Sequence, residues 1–411
     1  MALRGDLIGQ RSETVRWANL SAIVRELHVR GPLSRSELVA RTGLSRTGIR
    51  GLINELSSSE LVSEERASSQ GTPGRPSAVV RPNPDAAVVL ALEIAVDSLA
   101  VAVVGLGGAV HHLARVDRPR DRFSIDETVA DLADLAQLVQ ARPPVRDALI
   151  GVGVAVVGVT RRTDGFVSLA PNLGWHDVPL GARLAEALET RLPIAVANEA
   201  DLGALAEHRR GAAIGADHVL FISGEVGVGG GLIVDGRPLT GATGYGGEVG
   251  HIPVNPNGMP CRCGSVGCWE TEVGEGALLL RAGRPPGGGR GEVDEVLREA
   301  AAGVPAALSA LDNVGRWLGF GIAGLINVLN PRLVVLGGLF GRIYPFVTQT
   351  MHSELDRLAL PASRGLVEVL PATLGIDAPL LGAAELAFEP LLADPAAWMR
   401  SRVVAAEPAT A

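Results

Sequence analysis

The chain has 411 residues, 47% of them hydrophobic and 20% charged, which describes a soluble globular protein of two or three domains with a large core. Its opening residues, MALRGDLIGQ, carry no signal-peptide pattern, and the apolar run ALIGVGVAVVGVT at 148–160 is too short and too rich in Gly and Val to span a membrane. A secreted or membrane-embedded protein is therefore not expected, and three cysteines that can all serve one metal make a reducing cytoplasm the expected compartment. Net charge is −8, but residues 1–82 hold 12 Arg against 8 acidic residues, a balance of +4 that leaves −12 for the rest, so a polyanionic partner is expected at the N-terminal end.

Three helices are predicted first. Leu20, Ile23, Val24 and Leu27 give the first an apolar stripe. Ser34 and Glu37 form a capping box that opens a short second helix to about Arg41, and Gly43 breaks it. Ser45 caps a third, in which Ile49, Leu52, Ile53 and Leu56 face inward and Arg46, Thr47, Arg50 and Asn54 face out. A helix, a glycine turn and a helix showing Arg, Thr and Asn is the layout that enters a DNA major groove, although a generic helical hairpin has the same outline. Leu61–Val62 and Val79–Val80 read as two short strands around a loop, the shape of a winged helix. The loop tip, Gly-Thr-Pro-Gly-Arg-Pro at 71–76, presents Arg75, a side chain suited to a narrow minor groove; a plain Pro/Gly linker is the other reading.

Beyond a hinge expected at Arg81-Pro82-Asn83-Pro84, strands are predicted at 88–96, 99–106, 148–158, 193–198, 218–224, 230–236 and 332–338, alternating with helices. Such alternation gives α/β layers with much parallel sheet. Residues 285–291, PPGGGRG, read as a surface loop and the C-terminal AAEPATA as a frayed tail.

The run 244–270, GYGGEVGHIPVNPNGMPCRCGSVGCWE, holds every cysteine of the chain. His251, Cys261, Cys263 and Cys268 are four soft ligands in eighteen residues, with Gly264 and Gly267 supplying bends, a set that suits a closed structural Zn²⁺ site. Unrelated free thiols, or one disulfide with a spare cysteine, are the alternatives, and a Cys261–Cys263 bridge would be strained. Glu248 and Glu270 flank the cluster as rigidly held acceptors for a polyhydroxylated ligand, or as solvated surface acids.

This pattern, G-E-x-G-H followed by C-x-C-G-x-x-G-C-x-E, closely resembles the signature of the ROK family, which contains sugar kinases and sugar-responsive transcriptional repressors. The resemblance implies that Glu248, His251 and Glu270 contact sugar hydroxyls and that His251 also binds zinc. It implies a two-lobed ribonuclease H-like, actin-type ROK domain over 86–400, with the zinc site in 244–270, behind a winged helix-turn-helix at 1–82. The Gly74-Arg75-Pro76 wing resembles that of the family's repressors, whereas its sugar kinases normally lack such a head.

Kinases of the family carry D-x-G-x-T on the first strand, and this chain has Glu93-Ile94-Ala95-Val96-Asp97, without the glycine. Their second phosphate loop, G-T-G-x-G-G-G, is matched by 225–231, with Glu225 and Val226 in place of Gly and Thr. Their catalytic N-D reads Asn198-Glu199 here, a carboxylate displaced by one methylene. By the same resemblance Asn172, Asn198 and Glu199 join the sugar ligands, and 330–338 borders the family's adenine pocket. Asn172 as a turn cap, Trp175 as core and His176 as a surface residue are the plainer readings. The sequence thus leads to a DNA-binding transcriptional regulator of carbohydrate genes, a repressor rather than an enzyme, whose ROK domain binds a sugar effector and has lost kinase activity, acting as a homodimer or homotetramer; a DNA-binding ROK sugar kinase and a protein-binding scaffold are the alternatives.

Overall fold

The computed structural model of the chain describes residues 12–65, 78–120, 124–143 and 148–406. In the head, α1 (Ser12–Arg30) buries Leu20, Ile23, Val24 and Leu27. After the short strand β1 (Leu33–Ser34), α2 (Arg35–Thr42) opens on a complete capping box, with Ser34 N–H donating to the Glu37 carboxylate at 2.7 Å and Glu37 N–H to Ser34 Oγ at 3.2 Å. Gly43 ends it at φ 70°, a left-handed conformation that a side chain would strain. α3 (Arg46–Ser58) starts at the Ser45 cap and buries Ile49, Leu52, Ile53 and Leu56. β2 (Val62–Glu65) and β3 (Val79–Pro82) pair antiparallel, and β1 lies on the other side of β3. The wing tip at 71–76, Arg75 included, lies outside the described residues.

Lobe 1 contains β4 (Val88–Ile94), β5 (Ser98–Gly105), β6 (Val110–Asp117), α4 (Ile125–Gln140) and β7 (Leu149–Val156), then a small antiparallel sheet of β8 (Val159–Arg161), β9 (Phe166–Ala170) and β10 (Trp175–Val178). It continues through α5 (Leu180–Ala187), β11 (Ile194–Asn198) and α6 (Glu199–Arg210). Its main sheet runs β11-β7-β4-β5-β6, an antiparallel meander of β4, β5 and β6 with β7 and β11 added in parallel. Every residue of β4 and β5 is buried, as expected of strands covered on both faces.

Lobe 2 repeats this plan. β12 (Val219–Gly224), β13 (Val228–Val234) and β14 (Arg237–Pro238) form the meander, and α7 (Trp269–Val273), α8 (Glu275–Arg281), α9 (Gly289–Ala301) and α10 (Pro305–Leu329) lead to β15 (Leu333–Gly337). α11 (Gly338–Leu358) and α12 (Pro361–Arg364) then lead to β16 (Glu368–Pro371), giving the order β14-β13-β12-β15-β16. In both lobes the first strand of the meander carries the two parallel strands, so the halves share one topology, and the cleft lies between them.

The chain returns to lobe 1 as α13 (Ala378–Ala393) and finishes with α14 (Pro395–Ala406). A Cβ on Gly153 of β7 would meet Ala383 O at 1.9 Å, so α13 lies directly on the lobe 1 sheet. The head is seated on these last helices, and one apolar core runs from Leu20, Ile23 and Leu27 through Ala86 and Val89 to Leu380, Phe388 and Leu391. The expected hinge at 81–84 is the end of β3 plus a turn tied to the head, where Asn83 N–H donates to Leu61 O and Asn83 Nδ2 to Glu60 O, both at 2.9 Å. No helix among the described residues is long and apolar enough to cross a membrane.

Candidate functional site

The sequence from Val249 to Trp269 folds into a short 3₁₀ turn, Val249–His251, and a loop closed by bridges between Pro253 and Cys268 and between Pro260 and Val266. Gly267 is required, because a Cβ there would lie 1.6 Å from Asn255 O and its φ is 65°. The loop brings His251, Cys261, Cys263 and Cys268 together with all four ligand atoms within 4.8 Å of one another. Cys263 Sγ and Cys268 Sγ are 3.7 Å apart, as are Cys261 Sγ and His251 Nδ1. Tetrahedral Zn²⁺ with Zn–S bonds of about 2.3 Å has S···S edges of about 3.8 Å, so the spacing and the three-sulfur, one-nitrogen donor set fit a structural zinc. The cysteines are free thiols, not a disulfide with a spare.

His251 presents Nδ1 to this cluster and Nε2 to Glu248 Oε2, 3.9 Å away on the cleft side. Glu270, one residue into α7, accepts from Cys261 Sγ at 2.7 Å. One cavity is lined by Asn172, Asn198, Glu199, Glu248, His251 and Glu270, all six of the residues expected to hold a sugar, together with Glu225 and Arg262. Asn172 projects from the β9–β10 turn, and its Oδ1 accepts from Arg262 Nη1 at 2.9 Å. Asn198 is more committed than expected. Its Oδ1 caps α6 through Ala200 N–H at 2.7 Å and its Nδ2 donates to Gly158 O at 2.9 Å, leaving one N–H for a ligand. Trp175 is buried core and His176 is exposed.

Burial in the cleft, reinforced by Glu225, Glu93 and Asp97 and opposed by Arg290, pushes the Glu199 carboxyl up to about 8. Burial does the same to Glu225, raised to about 7 with Asp97, Glu275 and Glu93 adding to the effect against Arg290. Asp201, in the first turn of α6, is pushed up to about 7 by burial and by Glu248, against Arg162.

Around Glu93 and Asp97, the residues that the resemblance matches to the kinases' first phosphate loop, arginines and carboxylates pair. Glu93 is buried and accepts from Arg115 at 2.9 Å, and Arg115 also reaches Asp377 at 3.0 Å. Asp97 accepts from Arg120 and from Arg290, each at 3.1 Å, and Arg120 continues to Glu275 at 2.9 Å. Asp97 and Arg120 belong to lobe 1 while Glu275 and Arg290 lie on α8 and α9, so these pairs span the cleft. Arg290 comes from the segment read as a surface loop, and no sequence signal distinguished it from a solvated residue. The glycines retained at 229–231 lie in β13, where a Cβ on Gly231 would meet Ala200 O at 2.5 Å and one on Gly229 the Ala200 Cβ at 2.7 Å. They let α6 lie against the sheet.

On the head, Arg46, Thr47, Arg50 and Asn54 of α3 are exposed. Arg16, Arg35, Arg41 and Arg81 are each paired with a glutamate, whereas Arg46 and Arg50 pair with no carboxylate among the described residues. Ser45 is exposed too, but its Oγ accepts from Gly48 N–H at 3.1 Å, so capping is its first task.

The head meets the body in a buried polar cluster that the sequence did not announce. Fully buried His28 accepts at Nδ1 from Gly107 N–H at 3.0 Å, and its Nε2 lies 3.1 Å from Glu385 and 2.9 Å from Arg210 Nη2. Arg210 donates to Glu385 and to Gly107 O, Arg209 to Glu385 at 2.8 Å, and Arg25 to Glu389 at 3.0 Å. Burial opposes ionisation of Glu385, but His28, Arg210 and Arg209 outweigh it and hold this carboxyl well below the usual range.

A sequence profile described as ROK family matches residues 89–389. The chain is 28% identical over 383 residues to a xylose repressor of Bacillus spizizenii, covering 92% of this chain and 97% of that one. It is 35% identical over 275 residues to a glucokinase of Halalkalibacterium halodurans, covering 63% of this chain and 81% of the enzyme. Among solved structures, a ROK family transcriptional regulator described as a homologue of the E. coli MLC protein superposes with a TM-score of 0.77 at 26% identity, covering 95% of this chain and 99% of the other. A ROK glucokinase from Streptomyces griseus, solved with glucose and AMPPNP, superposes with a TM-score of 0.65 at 28% identity and covers 73% of this chain and 99% of its own. The two regulators thus match across nearly the whole chain and the two kinases across part of it.

Proposed function

The chain belongs to the ROK family, and we propose that within it this protein is a sugar-responsive transcriptional repressor of carbohydrate genes, acting in the cytoplasm as a homodimer or homotetramer. In this reading residues 1–82 bind operator DNA and residues 86–400 bind the sugar. Ser45, Arg46, Thr47 and Arg50 meet the major groove at the start of α3, and Arg75 on the wing meets the minor groove. The match to a xylose repressor over 92% of the chain supports it.

The observation that carries the reading is α6, which begins at Asn198 and Glu199 in the cleft and ends at Arg209 and Arg210, both paired with Glu385 of α13, with Arg210 Nη2 also 2.9 Å from Nε2 of His28 on α1. A change at the cleft therefore has a direct mechanical route to α1. Asn172, Asn198, Glu199, Glu248, His251 and Glu270 hold the sugar hydroxyls. His251, Cys261, Cys263 and Cys268 hold a structural zinc, which supplies rigidity to the loop bearing three of those ligands.

The glucokinase relatives and the carboxylate of Glu199 favour a kinase as the second reading. Against it stand the Arg–carboxylate pairs across the phosphate position, Ala95 in place of glycine, and Glu225, whose ionised form repels a triphosphate. A thermal-shift screen of sugars on the zinc-loaded full-length protein tests the proposal, repeated with a duplex that the protein has selected from random sequence. It expects a sugar that raises the melting temperature and a shift that changes when DNA is present. Failure to stabilise with any sugar, or to select any duplex, overturns it.

A further inference from the structure

Arg262 stands between two of the cysteine ligands, where Cys261 N–H donates to Ser265 O at 2.8 Å and Gly264 N–H to Cys261 O at 3.0 Å. Its backbone is held by this tight turn, and its side chain leaves the loop for the opposite lobe. There it lines the sugar cavity and donates from Nη1 to Asn172 Oδ1 at 2.9 Å. The loop belongs to lobe 2 and Asn172 to lobe 1, so this hydrogen bond crosses the cleft. Tyr245 and Ser168 make another crossing on the same side, their hydroxyls 2.9 Å apart on the exposed rim.

A guanidinium has only donors, so the contact fixes which end of the Asn172 amide is which. Its carbonyl oxygen is taken and its NH₂ is left for the cleft. The other titratable groups around the cavity, apart from His251, are the carboxyls of Glu199, Glu225, Glu248 and Glu270. Arg262 and Asn172 therefore form a donor edge facing walls of carboxyl groups.

We infer that Arg262 is a positioning residue for the effector: it turns the Asn172 amide so that its NH₂ meets an acceptor oxygen of the sugar, and it ties the lobes together over the ligand from a place set by the metal loop. This rests on the sugar-binding reading above. It adds a donor requirement, in that the ligand atom at Asn172 must offer a lone pair, as a hydroxyl or ring oxygen does, and an analogue with that oxygen replaced by hydrogen is rejected.

The test uses zinc-loaded full-length protein, with D-xylose and D-glucose as probes in calorimetry. Arg262→Ala keeps one zinc per chain and loses about tenfold or more in sugar affinity, the effect of removing one charge-assisted hydrogen bond. Arg262→Lys restores part of it, and the Arg262→Ala/Asn172→Ala double variant loses less than the sum of the two single losses, since they act as a unit. Unchanged affinity in Arg262→Ala, or strictly additive losses, overturns the inference while leaving the sugar site standing. If the wild-type protein binds neither these probes nor any other sugar of a wider panel, the sugar-binding reading falls and this inference falls with it.

Discussion

Glu199 and Arg210 are the first and last residues of one helix, α6, and they stand at opposite ends of the proposed regulatory path: Glu199 lines the cavity between the lobes and Arg210 donates to Gly107 O and Glu385 beside His28 of the head. Twelve residues of α-helix span about 18 Å. The helix lies in a tight slot, since a Cβ on Gly203 would meet the Phe221 ring at 2.7 Å and one on Gly382 would meet Leu202 O at 2.0 Å. Packing this close shifts as a body rather than bending locally.

Cutting the path at its far end should uncouple the two functions. Arg210→Ala is expected to bind sugar as the wild type does and to lose the sugar-dependent change in operator affinity, with a stability cost of about 2 kcal/mol because Arg209 and His28 still pair Glu385. Calorimetry with sugar and fluorescence anisotropy with operator, on the same sample, check this.

Removing a metal ligand should damage both the fold and the cleft. Cys263→Ala is expected to lose zinc, to melt at a lower temperature and to bind sugar at least about tenfold more weakly, because His251 loses its anchor. Zinc content and sugar affinity are measured together. Zinc lost with affinity intact contradicts the coupling.

The raised carboxyl of Glu199 gives stability a pH dependence of known sign. A folded value of about 8 against an ordinary value near 4.5 means the folded state holds a proton that the unfolded state has released, so this contribution is complete below about pH 4.5 and is lost as pH rises through 8. Glu199→Gln removes the loss. Its stability relative to wild type should rise between pH 5 and pH 8.5, by about 4 kcal/mol, in urea titrations at each pH.

On the head, Arg50→Ala should weaken operator binding by roughly 1–3 kcal/mol with a change in base preference, while Arg75→Ala should act mainly at A·T-rich flanks. Gel-shift titrations over operator variants separate the two. No change from either substitution removes these residues from the interface.

The winged head was legible because caps and 3.6-residue periodicity are local signals: Ser34, Glu37, Gly43 and Ser45 each act at the position the sequence assigns them. The cluster of His251 with the three cysteines was legible because these residues are close in sequence and chemically distinctive. The cleft residues were found through the family motif, since Asn172, Asn198 and Glu248 share no local pattern. What the sequence hid is long-range. β6 is an edge strand with a half-exposed, partly polar sequence that gives little alternation. His28 meets Glu385 across 357 positions and Arg120 meets Glu275 across 155, pairings that no window of sequence contains. The glycines of 229–231 were misleading in the opposite sense, because a loop motif and a helix-packing surface require the same absent side chain.

The central claim is that a zinc-pinned cleft binds sugar to control DNA binding and transfers no phosphate. It is tested most directly by measuring operator affinity of the zinc-loaded full-length protein with and without saturating sugar, alongside ATP-dependent phosphorylation of that sugar. The expected result is a change in operator affinity of about tenfold or more and no turnover. Equal operator affinity in both conditions, or turnover of about 1 s⁻¹, within the range of working kinases, contradicts it.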